Sequence, residues 1–130
     1  MRITPIFQAV LICAMLAPAH APASDAHEHW YGGEYQNCAG STVDIIQCAN
    51  GLRDKWDDRL NAAYRQVMES ETTAQRTALR DAQRRWIAYR DANCAYYLGG
   101  EGSIARIETA VCDYVLTRDR ARELEMMLVQ

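Results

Sequence analysis

Side chains return at three- and four-residue intervals through three long segments of this chain. Ile45, Ala49, Leu52, Trp56, Leu60, Ala63 and Val67 make the first stripe, and Leu79, Ala82, Trp86, Tyr89, Asn93 and Tyr96 the second. Ile104, Ile107, Val111, Tyr114 or Val115, Leu124 and Leu128 make the third. That spacing is the helical period, and no stretch alternates with the period of two that a half-buried strand needs. Ser41 or Thr42 can cap the first helix, with Asp44 favouring the positive end of its dipole. Gly51 weakens this helix by about 1 kcal/mol relative to Ala and permits a kink or break there. The first helix is expected to finish near Ser70, and Thr72 or Thr73 to start the second. Gly99-Gly100-Glu101-Gly102 breaks the chain again, and Ser103 is expected to cap the third helix. The fold class is therefore all-α, a three-helix antiparallel bundle.

Polar positions interrupt the stripes in a regular way. Gln83, Trp86 and Arg90 fall at i, i+3 and i+7 on one helix face, and Asp57, Asn61 and Tyr64 share a face of the preceding helix at i, i+4 and i+7. A turn centred near Glu71 places Asn61 near Gln83, Tyr64 near Leu79, and Asp54 or Asp57 near Arg90. Asp57, Asn61, Tyr64, Gln83, Trp86 and Arg90 are thus expected to form a structural polar network in the seam of these two helices, with a carboxylate held by Arg90. Buried polar groups must find such partners.

The first residues bear on compartment. Arg2 precedes an apolar run, Phe7–Leu16, and Ala21-Pro22-Ala23 ends a short stretch of small residues. This is the layout of a signal peptide at 1–23. The apolar run falls short of the roughly 20 residues that cross a bilayer, so no membrane insertion is expected after cleavage. Residues 24–40 read as an arm without periodicity, and 41–130 as the helical domain. The mature chain of 107 residues is one small domain, for which covalent staples help.

Of five cysteines, Cys13 lies in the leader, which leaves Cys38, Cys48, Cys94 and Cys112. No C-x-x-C spacing occurs, and an even number in an oxidising compartment points to two disulfides rather than a metal. Four cysteines allow three pairings. The seam register brings Cys48 near Cys94, whereas Cys38–Cys48 and Cys94–Cys112 close the shorter loops and are weakly favoured. The sequence does not choose between them.

Loss of Arg2 leaves 13 cations against 17 anions, a net −4. With no block of like charge, a nucleic-acid partner has no support, while a mildly acidic surface favours encounter with a basic protein. No His follows His29, and no Ser or Cys nucleophile stands beside a base, so the chain does not read as an enzyme and implies no cofactor. His27 and His29 flank Glu28 and could ligate a metal, but a solvated arm is the simpler reading and no metal site is assigned. The Tyr97–Ser103 loop is the candidate contact surface. Its glycines allow close backbone approach, and Tyr96, Tyr97 and Glu101 offer aromatic area and charge.

Four motifs complete the reading. D-x-x-L-N-x-x-Y at Asp57–Tyr64 and A-Q-x-x-W-I-x-Y-R-D-A-x-C at Ala82–Cys94 resemble the small secreted LprI-type lysozyme inhibitors. So do G-x-G-S-I at Gly100–Ile104 and C-x-x-x-x-T-x-x-R-x-x-x-L at Cys112–Leu124. The resemblance implies a periplasmic or secreted protein whose partner is a lysozyme-type glycoside hydrolase, inhibited by binding and by occlusion of its cleft. The alternative is a non-catalytic structural or adaptor module of the cell envelope that binds another protein.

Overall fold

The computed structural model describes residues 28–129, so the leader expected at 1–23, Cys13 and His27 lie outside the described residues. Three long helices follow one another: α1 (Thr42–Ser70), α2 (Thr73–Leu98) and α3 (Gly102–Met127). A helical turn at 28–31 and a 3-10 helix, Gly33–Asn37, precede them. No strand occurs among the described residues. The chain is all-α, a helical bundle with two disulfides.

Local chemistry sets the helix ends. Ser41 accepts from the Asp44 amide while Asp44 accepts from the Ser41 amide, a reciprocal cap that fixes the start of α1. Thr72 and Gln75 repeat the arrangement on α2, leaving only Glu71 and Thr72 between the two helices. Gly51 introduces no break, and α1 runs through it. The start of α3 differs from expectation. Glu101, not Ser103, is the N-cap, and its side chain makes no cap bond. Gly102 opens the helix at φ +72°, a left-handed turn that a residue with a Cβ resists, so α3 starts two residues earlier than a Ser103 cap would place it.

Packing centres on α3. Its buried residues include Val111, Cys112, Tyr114, Val115, Ala121 and Leu124, while α1 contributes Ala49, Trp56, Leu60, Ala63 and Val67. Burial of a side chain such as Leu60 or Leu124 stabilises by about 1.5–3 kcal/mol. On α2 only Cys94 is fully buried. Helix α3 therefore lies between α1 and α2, which approach each other only beside their turn. Along α1 and α3 the paired numbers rise together, with Arg59 bonded to Glu125 (2.8 Å) and the Arg122 guanidinium 5.1 Å from the Trp56 ring. Along α2 and α3 they run oppositely, from Cys94–Cys112 to Gln83–Arg120.

This arrangement corrects the expected seam. Asp57 and Asn61 do not meet α2; Asn61 is exposed, and its amide donates to Asp57 one turn back (2.9 Å). Tyr64 packs against the α1–α3 core. Gln83, Trp86 and Arg90 do share a half-buried face, but its partners come from α3. Gln83 accepts from Arg120 Nε (3.0 Å), and Trp86 packs against the core. Arg90 donates to Asp91 on its own helix (2.8 Å) and stands 3.8 Å from Asp113. Burial pushes the Asp113 carboxyl above the usual aspartate range, while the Arg90 and Arg53 guanidiniums pull it down. Neither Asp54 nor Asp57 is the carboxylate at Arg90. The second stripe is also turned by one position. Leu79, Gln83, Trp86, Arg90, Asn93 and Tyr97 face inward, whereas Ala82, Tyr89 and Tyr96 are exposed, because α2 touches a single neighbour along one line.

Both staples lie towards the end where α1 and α3 begin and α2 finishes. Cys38 bonds Cys48 and Cys94 bonds Cys112, with Cα separations of 5.6 and 5.5 Å. The register that would have brought Cys48 to Cys94 does not form.

Candidate partner-binding site

The end of α2 and the first turns of α3 enclose a concavity of about 450 Å³, walled by Tyr96, Tyr97, Gly99, Gly100 and Glu108. Cys94–Cys112 ties its two walls together just below the rim. Tyr96 is 80% exposed and meets the Tyr97 ring edge-on, 5.5 Å between centroids. At Gly100 a Cβ would stand 3.2 Å from the Tyr97 carbonyl oxygen and 3.3 Å from Ala105 Cβ, so the loop folds closely over the helix beneath it.

The arm supplies the other half of this surface. Trp30 packs on Tyr97 at 5.8 Å, and Tyr31 packs on Tyr35 at the same separation. Burial, then the nearby Glu108 carboxylate, raises the Tyr31 hydroxyl above its ordinary pKa. Tyr35 is raised for the same reason, burial first.

Three anchors hold the arm. Arg118 Nη2 donates to the His29 carbonyl (3.0 Å), and Arg118 Nε to Asp119 (2.9 Å). Burial works against the Arg118 charge, and the bond to Asp119 helps to hold its pKa above the ordinary value. His29 Nε2 itself lies 2.9 Å from Asp119. Further along, Glu34 accepts from Trp56 Nε1 (2.7 Å) and pairs with Lys55, and these bonds hold its carboxyl below the usual glutamate range. Cys38–Cys48 closes the arm onto α1. The segment expected to be a solvated arm is thus docked from His29 to Cys38.

Of the residues expected at the contact surface, Tyr96 and Tyr97 line the concavity. Glu101 stands outside that lining, exposed at the N-cap of α3, and the carboxylate in the wall is that of Glu108. Trp30, Tyr31 and Glu108 were not visible as site residues in the pattern, although two adjacent aromatics in a short polar arm were a usable signal. Among the described residues no group of three His, Cys, Asp or Glu side chains is arranged to hold a metal, and no helix is long and apolar enough to cross a membrane.

Fold and rim together define a small, doubly stapled helical domain that presents an aromatic, glycine-lined end. The chain belongs to the lysozyme inhibitor LprI family, whose model matches residues 34–124. It is also 28% identical to an uncharacterized protein of Rhizobium meliloti (strain 1021), an alignment spanning 95% of this chain and 93% of that protein. No solved structure matches the chain.

Proposed function

We propose that this protein acts outside the cytoplasm as an inhibitor of a lysozyme, binding through the end formed by the Gly99–Gly102 loop and the docked arm and occluding the enzyme's cleft. Family membership supports the partner class. The leader read at 1–23 and the two disulfides support the compartment, periplasmic or secreted. The observation that carries the site is the exposed Tyr96 beside a concavity whose walls are fixed by a disulfide and by close packing of Gly100. A glycosidase cleft works by placing two carboxylates about a sugar chain, so a rigid protein edge that fills the groove stops turnover without any chemistry of its own. Rigidity matters because each side chain ordered on binding costs roughly 0.5–1.5 kcal/mol, and a loop already held in place avoids most of that.

The test is residual muramidase activity of several lysozyme classes with the purified secreted protein. Tyr96→Ala combined with Glu101→Ala should weaken inhibition and leave melting unchanged, since both side chains are exposed. A wild-type protein that inhibits no lysozyme class at micromolar concentration ends this reading in favour of the envelope adaptor. Inhibition that survives the double change keeps the function and moves the contact to the exposed α2 face around Ile87 and Tyr89.

A further inference from the structure

Glu108 is half-buried in the wall of the concavity, and among the described residues no cation pairs with it and no hydrogen bond reaches its carboxylate. Several other carboxylates among the described residues do have a cation at short range: Glu34 has Lys55, Glu125 has Arg59, Glu123 has Arg120 and Asp119 has Arg118. A carboxylate drawn away from water without a partner is unfavourable unless something else supplies the opposite charge. Opposite Glu108 stand two tyrosines in edge-to-face contact, with the Tyr96 ring open to solvent. An aromatic face and a carboxylate across a gap are the two elements that recognise an organic cation. A planar guanidinium suits this combination better than an ammonium, because it can lie on a ring while its N–H groups point at a carboxylate.

We propose that the concavity between Tyr96, Tyr97, Gly100 and Glu108 receives an arginine side chain of the partner protein, stacked on a tyrosine ring and paired with the Glu108 carboxylate. The identity of that partner as a lysozyme rests on the functional reading above; the chemistry of the pocket does not. The net −4 of the mature chain favours the approach of a basic surface at long range.

Nuclear magnetic resonance titration of the secreted, disulfide-bonded protein tests this with three probes: N-acetyl-arginine amide, N-acetyl-lysine amide and the neutral N-acetyl-citrulline amide. The arginine probe should shift the Gly99, Gly100 and Glu108 amides saturably with a Kd on the order of millimolar. The lysine probe should bind more weakly, and citrulline should leave these signals in place. Glu108→Gln should weaken the arginine probe about tenfold, and Tyr96→Ala several-fold, with both variants melting as wild type does. Absence of a saturable shift, equal binding of citrulline, or tighter binding of the lysine probe would overturn the proposal. In the muramidase assay Glu108→Gln should raise the inhibitory concentration by about the same factor of ten, and an unchanged value overturns the proposal while leaving inhibition intact. If the wild type inhibits no lysozyme yet still selects the arginine probe through Glu108, the pocket stands and the lysozyme reading falls.

Discussion

Glu34 is a small perturbation with a large expected effect. Its carboxylate is the acceptor for the Trp56 indole N–H at 2.7 Å, and Trp56 is only 4% exposed. Glu34→Ala leaves that donor without a partner, which costs about 1–3 kcal/mol. The Lys55 pair sits between substantially exposed side chains and adds only ~0–1 kcal/mol. For a domain of this size 1 kcal/mol moves the midpoint by roughly 4–8 °C, so the variant should melt about 4–24 °C below wild type. Glu34→Gln keeps an acceptor and removes only the charge, so its loss should stay under about 1 kcal/mol. The carboxyl is held below its ordinary pKa by its bonds to Lys55 and Trp56. Its stabilisation is therefore fully present above the unfolded value, about 4.3, and is lost as pH falls through the lower folded value. The gap between wild type and Glu34→Gln should therefore narrow steadily as pH falls below the unfolded value. Thermal melts followed by circular dichroism between neutral and acid pH read both effects. An alanine variant within about 2 °C of wild type at neutral pH would refute the latch.

Three other outcomes follow from the packing. Gly51→Ala should raise stability by about 0.5–1 kcal/mol, because a Cβ there meets nothing within 4 Å in the middle of α1; thermal denaturation checks it. Replacing either cysteine pair by Ser should cost about 3 kcal/mol, and non-reducing peptide mapping of the secreted wild type should yield the two sequential pairs and no free thiol. Arg90→Ala should cost only ~1–2 kcal/mol, since its nearest carboxylate is the exposed Asp91 and Asp113 is 3.8 Å away. Gln83→Ala should cost as much or more, because it removes the acceptor from the buried Arg120; urea denaturation of the two variants ranks them.

The helices were legible because capping chemistry and period were local. Ser41 with Asp44 and Thr72 with Gln75 announce two starts, and the glycine run announces the third break. Helix pairing was less legible, because a short turn between α1 and α2 suggests that they pack on each other along their length. The clue lay in α3. Ala110, Val111, Cys112, Tyr114 and Val115 crowd apolar side chains onto more than one face, which marks a helix flanked on both sides. The polar face Gln83–Trp86–Arg90 was visible, but its partners Arg120 and Asp113 come from far along the chain. The arm was opaque for the same reason. Its order comes from Arg118, Asp119, Trp56 and Tyr97, none of which is near it in sequence.

The bounds of the family match fit this architecture. They begin at Glu34, which grips Trp56, and end at Leu124, the last fully buried side chain of α3. What the match encloses is thus the mutually supporting unit of latch, two staples and central helix, rather than whole helices. Within that unit α2 is the least supported element, joined to α3 along one half-buried line. Its C-terminal end is the exception, because Cys94–Cys112 and the Trp30–Tyr97 contact fix it from two sides. Constraint is concentrated where the chain presents Tyr96 and the glycine loop, which is what the proposed cleft-filling edge requires, because an edge ordered before contact avoids the cost of ordering it on binding.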